Sequence, residues 1–325
     1  MKILVAPLNW GLGHASRCVP LVQRLLNEGH EVVLAGDGDS LTLLRKHFPK
    51  LRYTYLAPLN LRYSKGSRQL WAMLKALPKI LWWAINDHAL LQAILREEPF
   101  DQVISDNRFG LYNKDVECVY ITHQLHIMLP RGWRWAEKIA SRLHARIYAR
   151  FNKVWVPDYE ETHQSLAGEL SHPKSKIKNL KSKIEYIGPM SRFAVHRTQY
   201  TVHPTSFDVV AVLSGLEPHR TLLEQDILAR YTGKEERVLI VQGLMSRPNT
   251  RIKRGNLIIV PYIADAELAA ALCEAKHIIA RSGYSTIMDL DALGVLDKSE
   301  LIPTPGQPEQ EYLAAYNLQK NAEKC

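Results

Sequence analysis

Long apolar runs are missing from this chain: none reaches the roughly twenty residues that a membrane-spanning helix requires. Cysteine is scarce as well. The four thiols, Cys18, Cys118, Cys273 and Cys325, are scattered, form no CxxC pair and sit beside no clustered histidines, which argues against a disulfide framework and against a zinc site. Buried thiols are expected, with Cys325 a loose end. No apolar leader with a cleavage site is visible, because Met1 to Ala6 is followed at once by Pro7. A strand should therefore open the chain, and a cytoplasmic location is expected. Zinc-finger spacing, a ribonucleoprotein motif and a basic heptad helix are also absent, and the cations are spread along the chain; nucleic acid is not an expected partner.

What is present describes a globular α/β protein. With 325 residues, 46% of them hydrophobic and 23% charged, the chain affords a sizeable core and is most economically divided into two domains. The formal charge of +9 implies an anionic partner: nucleic acid, acidic lipid headgroups or a phosphorylated small molecule. Charge alone does not choose among them.

Short β-branched runs alternate with helical stretches. Lys2–Pro7, Glu31–Gly36, Arg52–Ala57, Gln102–Asp106, Glu117–Thr122, Lys153–Pro157 and Glu185–Gly188 read as strands. Helical spacing marks Cys18–Asn27, roughly Ser67–Arg96, Trp135–Phe151 and Tyr159–Ala167. After the polar stretch Ser191–Ser206 the pattern repeats, with strands at Phe207–Leu213, Val238–Gln242, Leu257–Pro261, His277–Ala280 and Leu301–Pro303. Helices are expected near His219–Tyr231, Ala266–Glu274, Tyr284–Leu293 and Glu309–Asn321. Such alternation predicts parallel sheets and two doubly wound, Rossmann-like domains, residues 1–190 and 207–325, joined by the linker 191–206. Their strand ends should face a central cleft that holds the ligand.

The stretch NWGLGHASR, residues 9 to 17, lies between the first strand and its helix. Gly11 and Gly13 permit a tight turn and close approach of a ligand, while the helix start offers free N–H groups to an anion. As a GxGxxG dinucleotide motif the loop fails at Ser16, although Asp37 sits about where a ribose acid belongs. His14 at a helix N-terminus is a candidate general base near neutral pH. The competing reading makes His14 a turn cap and Arg17 a surface charge.

GLGHASR followed by an apolar helix, and later ARSGYSTIMDL and LIPTPGQPEQEYLA, resemble the glycosyltransferases of the two-Rossmann-domain (GT-B) type related to MurG and glycosyltransferase family 28. Most of the chain is similar in architecture, and the specific motifs amount to about thirty residues. Arg281, Gly283, Tyr284, Ser285 and Thr286 end a strand and open a helix, so the turn and its hydroxyls suit a diphosphate. An ordinary capped helix start is the alternative. Asp289 lies one turn after Ser285; the resemblance implies that it binds ribose hydroxyls, though the family usually has Glu there. It also implies that Glu309 and Gln310 hold the donor hexose, that Ser214 and Gly215 bring amides to the diphosphate, and that Tyr262 and Ile263 hold the base edge of a uracil nucleotide. By residue type alone Glu309 is a first-turn charge that complements the dipole. Asp37–Gly38–Asp39 looks like a DxD metal motif, but Asp39 or Ser40 is more simply an N-cap; no metal and no cofactor is expected beyond a nucleotide-sugar co-substrate.

Asp106, Asn107 and Arg108 follow one strand and His123 and Gln124 another, so they should line the acceptor side of the cleft; each is also a common turn or structural residue. The stretch from Lys65 to Leu91, with Lys65, Arg68, Lys75, Lys79, Trp71, Trp82 and Trp83, and the cluster Arg131–Trp135, suit an anionic membrane surface or a lipid-linked acceptor. Equally, the rings could bury against the sheet. Together these readings predict an inverting, metal-independent glycosyltransferase with a UDP-sugar donor and His14 as base. The rivals are a UDP-sugar hydrolase of the same fold, since GHASRC resembles the opening loop of the hydrolases of pseudaminic acid synthesis, and a non-catalytic nucleotide-sugar or lipid-surface binding protein. Similar transferases continue with a strand and helices that return to the first domain, so a short tail or incomplete closure is expected here.

Overall fold

The computed structural model of the chain describes residues 1–59, 69–174, 183–194, 207–215 and 217–322, the side chains of 69–74 excepted. Seven strands form the first sheet: β1 (Lys2–Pro7), β2 (Glu31–Gly36), β3 (Tyr53–Tyr55), β4 (Gln102–Asp106), β5 (Glu117–Ile121), β6 (Lys153–Val156) and β7 (Ile184–Tyr186). All pair in parallel, in the order β3-β2-β1-β4-β5-β6-β7. Its helices are α1 (Gly13–Asn27), α2 (Gly38–His47), α3 (Gln69–Glu97) and α4 (Glu137–Tyr148). Ile3 and Val5 of β1 pack with Cys18, Val22 and Leu25 of α1, whereas Leu4 and Ala6 pack with Leu91 of α3 and Tyr148 of α4. Both faces are covered, which is why β1 reads as an unbroken apolar run instead of an alternating one. Each fully buried Leu or Val here is worth about 1.5–3 kcal/mol relative to exposure.

The second sheet comprises β8 (Val209–Val212), β9 (Val238–Val241), β10 (Ile252–Arg254), β11 (Leu257–Val260), β12 (His277–Arg281) and β13 (Ser299–Ile302), in the order β10-β11-β9-β8-β12-β13. Only β10, which the sequence pattern did not predict, runs antiparallel; its exposed Ile–Lys–Arg edge carries no apolar alternation. The helices are α5 (His219–Tyr231), α6 (Asp265–Glu274), α7 (Tyr284–Leu293) and α8 (Pro308–Ala322). In each sheet the strand order reverses next to the first strand, between β1 and β4 and between β8 and β12. The loops at these two switch points diverge and leave a crevice. His14 follows β1, Asp106 ends β4, Gly215 follows β8 and Gly283 follows β12.

The structure corrects several expectations. Tyr159–Ala167 is a chain of turns, not a helix, because the buried Asp158 carboxylate accepts from Ser165 Oγ (2.6 Å), Ser171 Oγ (2.6 Å), Leu166 N (2.9 Å) and Ala167 N (3.2 Å) and so takes amides that a helix would use. The beginning of the assigned linker is structural: Ser191 is buried and Phe193 belongs to the core of the second sheet, while 195–206 lie outside the described residues. The α8 helix crosses back to the first domain, where Tyr312 Oη accepts from Glu169 N (2.8 Å) and Asn317 Nδ2 donates to Leu166 O (3.3 Å). Of the thiols, Cys18 and Cys118 are buried and Cys273 is exposed, because it lies on the outer side of α6; Cys325 lies outside the described residues. Among the described residues no helix is long and apolar enough to cross a membrane.

Candidate active site

The β1–α1 loop explains its two glycines. Gly11 adopts φ +73°, a left-handed turn that favours glycine. A Cβ on Gly13 would lie 3.0 Å from Ser285 Oγ, and Ser285 Oγ donates to Gly13 O at 2.9 Å; glycine lets α1 and α7 meet end to end. Tyr284 Oη reinforces the meeting by donating to Pro157 O (2.7 Å).

One turn of α1 carries His14 and Arg17 onto Asp106. Asp106 Oδ1 lies 3.0 Å from His14 Nδ1, Oδ2 accepts from Arg17 Nε at 2.7 Å, and Arg17 Nη2 also binds Oδ1. Asp106 Oδ1, which only accepts, favours a proton on Nδ1, while Arg17 Nη2, which only donates, lies 2.9 Å from the same nitrogen. Asp106 is wholly buried, whereas 16% of the His14 side chain is exposed, onto the cleft. Burial pushes the His14 pKa down; the Asp106 carboxylate offsets part of this and Arg17 adds to it, with the net value below the usual 6.5. Burial would raise the Asp106 carboxyl, but Arg17 and His14 hold it well below the usual carboxylate range.

These groups open on one cavity of about 980 Å³ between the domains. Of the residues the sequence singled out, Gly11, Gly13, His14, Arg17, Asn107, His123, Gln124, Ser214, Gly215, Tyr262, Ile263, Gly283, Tyr284, Ser285, Thr286, Asp289, Glu309 and Gln310 line it. Asp106, Arg108 and Arg281 do not. Asp106 stands behind His14 and Arg17 and holds both. Arg108 points away into the first domain, where it donates to Asp87 Oδ1 (2.8 Å), Asp87 Oδ2 (2.9 Å) and Ala57 O (2.9 Å). Arg281 is likewise buried, donating to Pro303 O (3.0 Å) and His219 O (2.7 Å). Arg17 is no surface charge: it is 2% exposed.

Several lining residues are already engaged by protein. His123 Nε2 is 2.8 Å from Glu309 Oε1, across the cleft. Tyr120 Oη donates to Asn107 Oδ1 (2.6 Å), fixing an asparagine at φ +61°. Asp289 accepts from Ser191 Oγ (2.7 Å) and lies 3.4 Å from Arg192 Nε, while burial raises its pKa against those partners. Gln310 Oε1 accepts from Thr304 N (2.9 Å) and shapes its own loop. At Asp37–Gly38–Asp39 the cap position of α2 is Asp37, without a side-chain cap bond, not Asp39 or Ser40; Ser40 Oγ instead reaches Leu8 O and Gly11 O. Among the described residues no three histidines, cysteines or carboxylates gather as for a metal ion.

The sequence reading missed the far wall. Lys46 of α2 stands over the Tyr262 ring at 3.9 Å, His47 Nε2 is 2.9 Å from Asp265 Oδ2, and Arg192 Nη1 donates to Asp265 Oδ1 at 2.9 Å. These contacts join elements far apart in the chain, and no local pattern announces them. It also missed the apolar first-domain lining of Trp10, Phe109, Ile127, Met128, Leu129 and Pro130.

No family model matches the chain. A Methanosarcina acetivorans protein named as an uncharacterized glycosyltransferase is 24% identical over 335 residues, covering 97% of this chain and 83% of its own. A Methanosarcina mazei protein of the same description is 22% identical over 326 residues, with the same coverage. Among solved structures, the spinosyn rhamnosyltransferase SpnG complexed with thymidine diphosphate aligns with a TM-score of 0.57 at 15% identity, over 98% of this chain and 84% of that one. A calicheamicin glycosyltransferase aligns at 0.56 and 11% identity, over 99% and 92%. The chain therefore has the GT-B fold: two Rossmann-like domains across a cleft. Its relatives are named glycosyltransferases.

Proposed function

We propose that the protein is a glycosyltransferase that moves a sugar from a nucleotide-sugar donor to an acceptor hydroxyl, with inversion and without an essential metal. The observation that supports this most directly is His14, held by Asp106 and set beside the N-terminus of α7 at one cavity. In this reading His14 Nε2 takes the acceptor hydroxyl proton as that oxygen bonds to the anomeric carbon and the bond from that carbon to the diphosphate oxygen breaks. The departing diphosphate gains its stabilisation from the free amides of Gly283–Thr286 and the Thr286 hydroxyl. A placed base is worth on the order of 100- to 10,000-fold in rate.

The narrower assignments belong to the same proposal: a MurG-type relative, a UDP-sugar, and an acceptor that is lipid-linked, in keeping with the apolar wall from Phe109 to Pro130. Because SpnG was solved with thymidine diphosphate, the base is the first point to test. A thermal-shift panel of UDP, TDP, GDP, CMP and NAD should show its largest stabilisation with UDP; stabilisation by NAD alone would overturn the donor class. Product analysis with and without acceptor alcohols, in EDTA, then separates transfer from hydrolysis and from binding without turnover.

A further inference from the structure

We propose that the acceptor presents an uncharged, hydroxyl-rich group to the protein, a sugar or another polyol, and that the side-chain amides of Asn107 and Gln124 select it. This rests on the transferase reading above and deepens it by naming the chemistry of the acceptor end. The first observation is a strained residue. Among the described residues Asn107 alone combines a side chain with a positive φ, +61°. Asparagine tolerates that conformation better than most residues, but it still costs energy, and such outliers gather where a side chain must be aimed.

A short relay does the aiming. Tyr120 Oη donates to Asn107 Oδ1 at 2.6 Å, which leaves the phenol oxygen to accept from His144 Nε2 at 3.2 Å. Tyr120 is wholly buried and packs on Phe151 with ring centres 4.9 Å apart, so the hydroxyl has a fixed place. With Oδ1 taken, the Nδ2 donors are the end of Asn107 left for a ligand in the cavity that it lines. No group among the described residues accepts from them. Gln124 follows β5, the strand paired with β4, and lines the same cavity with its side-chain amide equally unengaged. Asp106, the residue before Asn107, holds His14, so base and amide are carried by one strand end.

The charges of this wall are already engaged. Arg17 is bound to Asp106 and His123 to Glu309. Burial lowers the pKa of His14 and brings that of His144 down to about 4, which favours the neutral rings at pH 7. Lys46 and His47 of α2 are held by the second domain, through Met245 O (2.9 Å) and Asp265 Oδ2 (2.9 Å). A phosphate or carboxylate brought against this wall would lose water without gaining a free cation. A hydroxyl both donates and accepts, so neutral amides satisfy it. Trp10, Phe109, Ile127 and Met128 add the apolar surface on which the C–H face of a sugar ring packs. The formal charge of +9 thus gives no guide to the acceptor.

Calorimetry on the full chain, with and without UDP, tests this with octyl glucoside, octyl galactoside and octyl mannoside below their micelle-forming concentrations, each against the matching octyl uronide, which differs by a carboxylate. At least one neutral glycoside should bind, and its uronide at least about tenfold more weakly. Asn107→Asp keeps the oxygen that Tyr120 binds and replaces the amide donors by a carboxylate oxygen; affinity for the neutral glycoside should fall about tenfold. Tyr120→Phe releases Asn107 without touching a ligand and should lower that affinity about threefold while the UDP thermal shift stays at the wild-type value; a merely structural role would reduce both. If Tyr120→Phe fails to fold, Gln124→Glu should weaken glycoside binding in its place. Uronides that bind as tightly as neutral glycosides, wild-type affinity in Asn107→Asp, or binding of no neutral glycoside would overturn the proposal. A UDP shift without glycoside binding rejects the acceptor chemistry alone, and glycoside binding without a UDP shift rejects the donor reading alone.

Discussion

His123 of the first domain and Glu309 of the second meet across the cleft, Nε2 to Oε1 at 2.8 Å, and the same imidazole stacks on Tyr284 with ring centres 4.2 Å apart. Burial pushes the Glu309 carboxyl up, but the His123 hydrogen bond and the nearby His14 and Arg17 outweigh it and leave the pKa below 4.5. A depressed acid contributes stability that is complete above its unfolded value and is lost as pH falls through the folded one. The melting-temperature gap between wild type and Glu309→Gln should therefore be constant above about pH 4.5 and shrink below it. A gap that does not shrink would remove the charge from this bridge.

His14→Ala should lower kcat by roughly 100- to 10,000-fold while leaving the nucleotide thermal shift intact, as expected for a base that acts on the acceptor. Unchanged turnover would reject His14 as the base.

Because the His14 pKa is lowered from 6.5, its neutral form persists into mild acid. The acid limb of kcat/KM against pH should have its midpoint below 6.5, and Asp106→Asn, which removes a group that raises that pKa, should move the limb further down. The same variant strands Arg17 without its buried carboxylate, and a loss of about 3–5 kcal/mol in urea denaturation is expected. A limb at or above 6.5 in the wild type would contradict the geometry.

Gly13→Val should damage closure more than folding. Its Cβ meets Ser285 Oγ at 3.0 Å, so the added methyls force α1 and α7 apart. Nucleotide affinity should fall by about tenfold, the equivalent of about 1.4 kcal/mol, measured by calorimetry; wild-type affinity would show that the contact does not shape the donor site.

Asp37 is buried between β2 and α2, 3.8 Å from Arg108 Nη1, and its carboxyl is pushed up to about 6 by burial, against Arg108. A raised acid destabilises the fold once ionised, so this contribution worsens as pH rises from 3.8 to about 6. Asp37→Asn should be more stable than wild type by on the order of 2 kcal/mol at pH 8 and equal to it near pH 4. Urea midpoints at the two pH values decide this, and a destabilised variant at pH 8 would mean that the ionised pair with Arg108 prevails.

Much of the frame was legible in local pattern. The alternation of apolar runs and helices located every strand except β10, because a parallel sheet covered on both faces leaves continuous apolar segments. The motifs around His14, Ser285 and Glu309 marked loops that the two switch points then bring together. Local pattern was misleading where a side chain outcompetes the backbone, as Asp158 does over 159–167, or where a charge is drawn inward by a distant partner, as Arg108 is by Asp87.

The amino-acid order alone determined the two α/β halves, the glycine turn and the placement of a histidine at a helix start, since these depend on periodicity, backbone freedom and neighbours a few residues away. Only the tertiary structure decided that Asp106 holds His14 and Arg17 instead of facing the cleft, that Arg192 and Lys46 complete the far wall of the cavity, and that α8 returns to close the molecule. Those outcomes depend on contacts between residues 73 to 218 positions apart, whose geometry is set by strand order and packing and leaves no trace in local sequence.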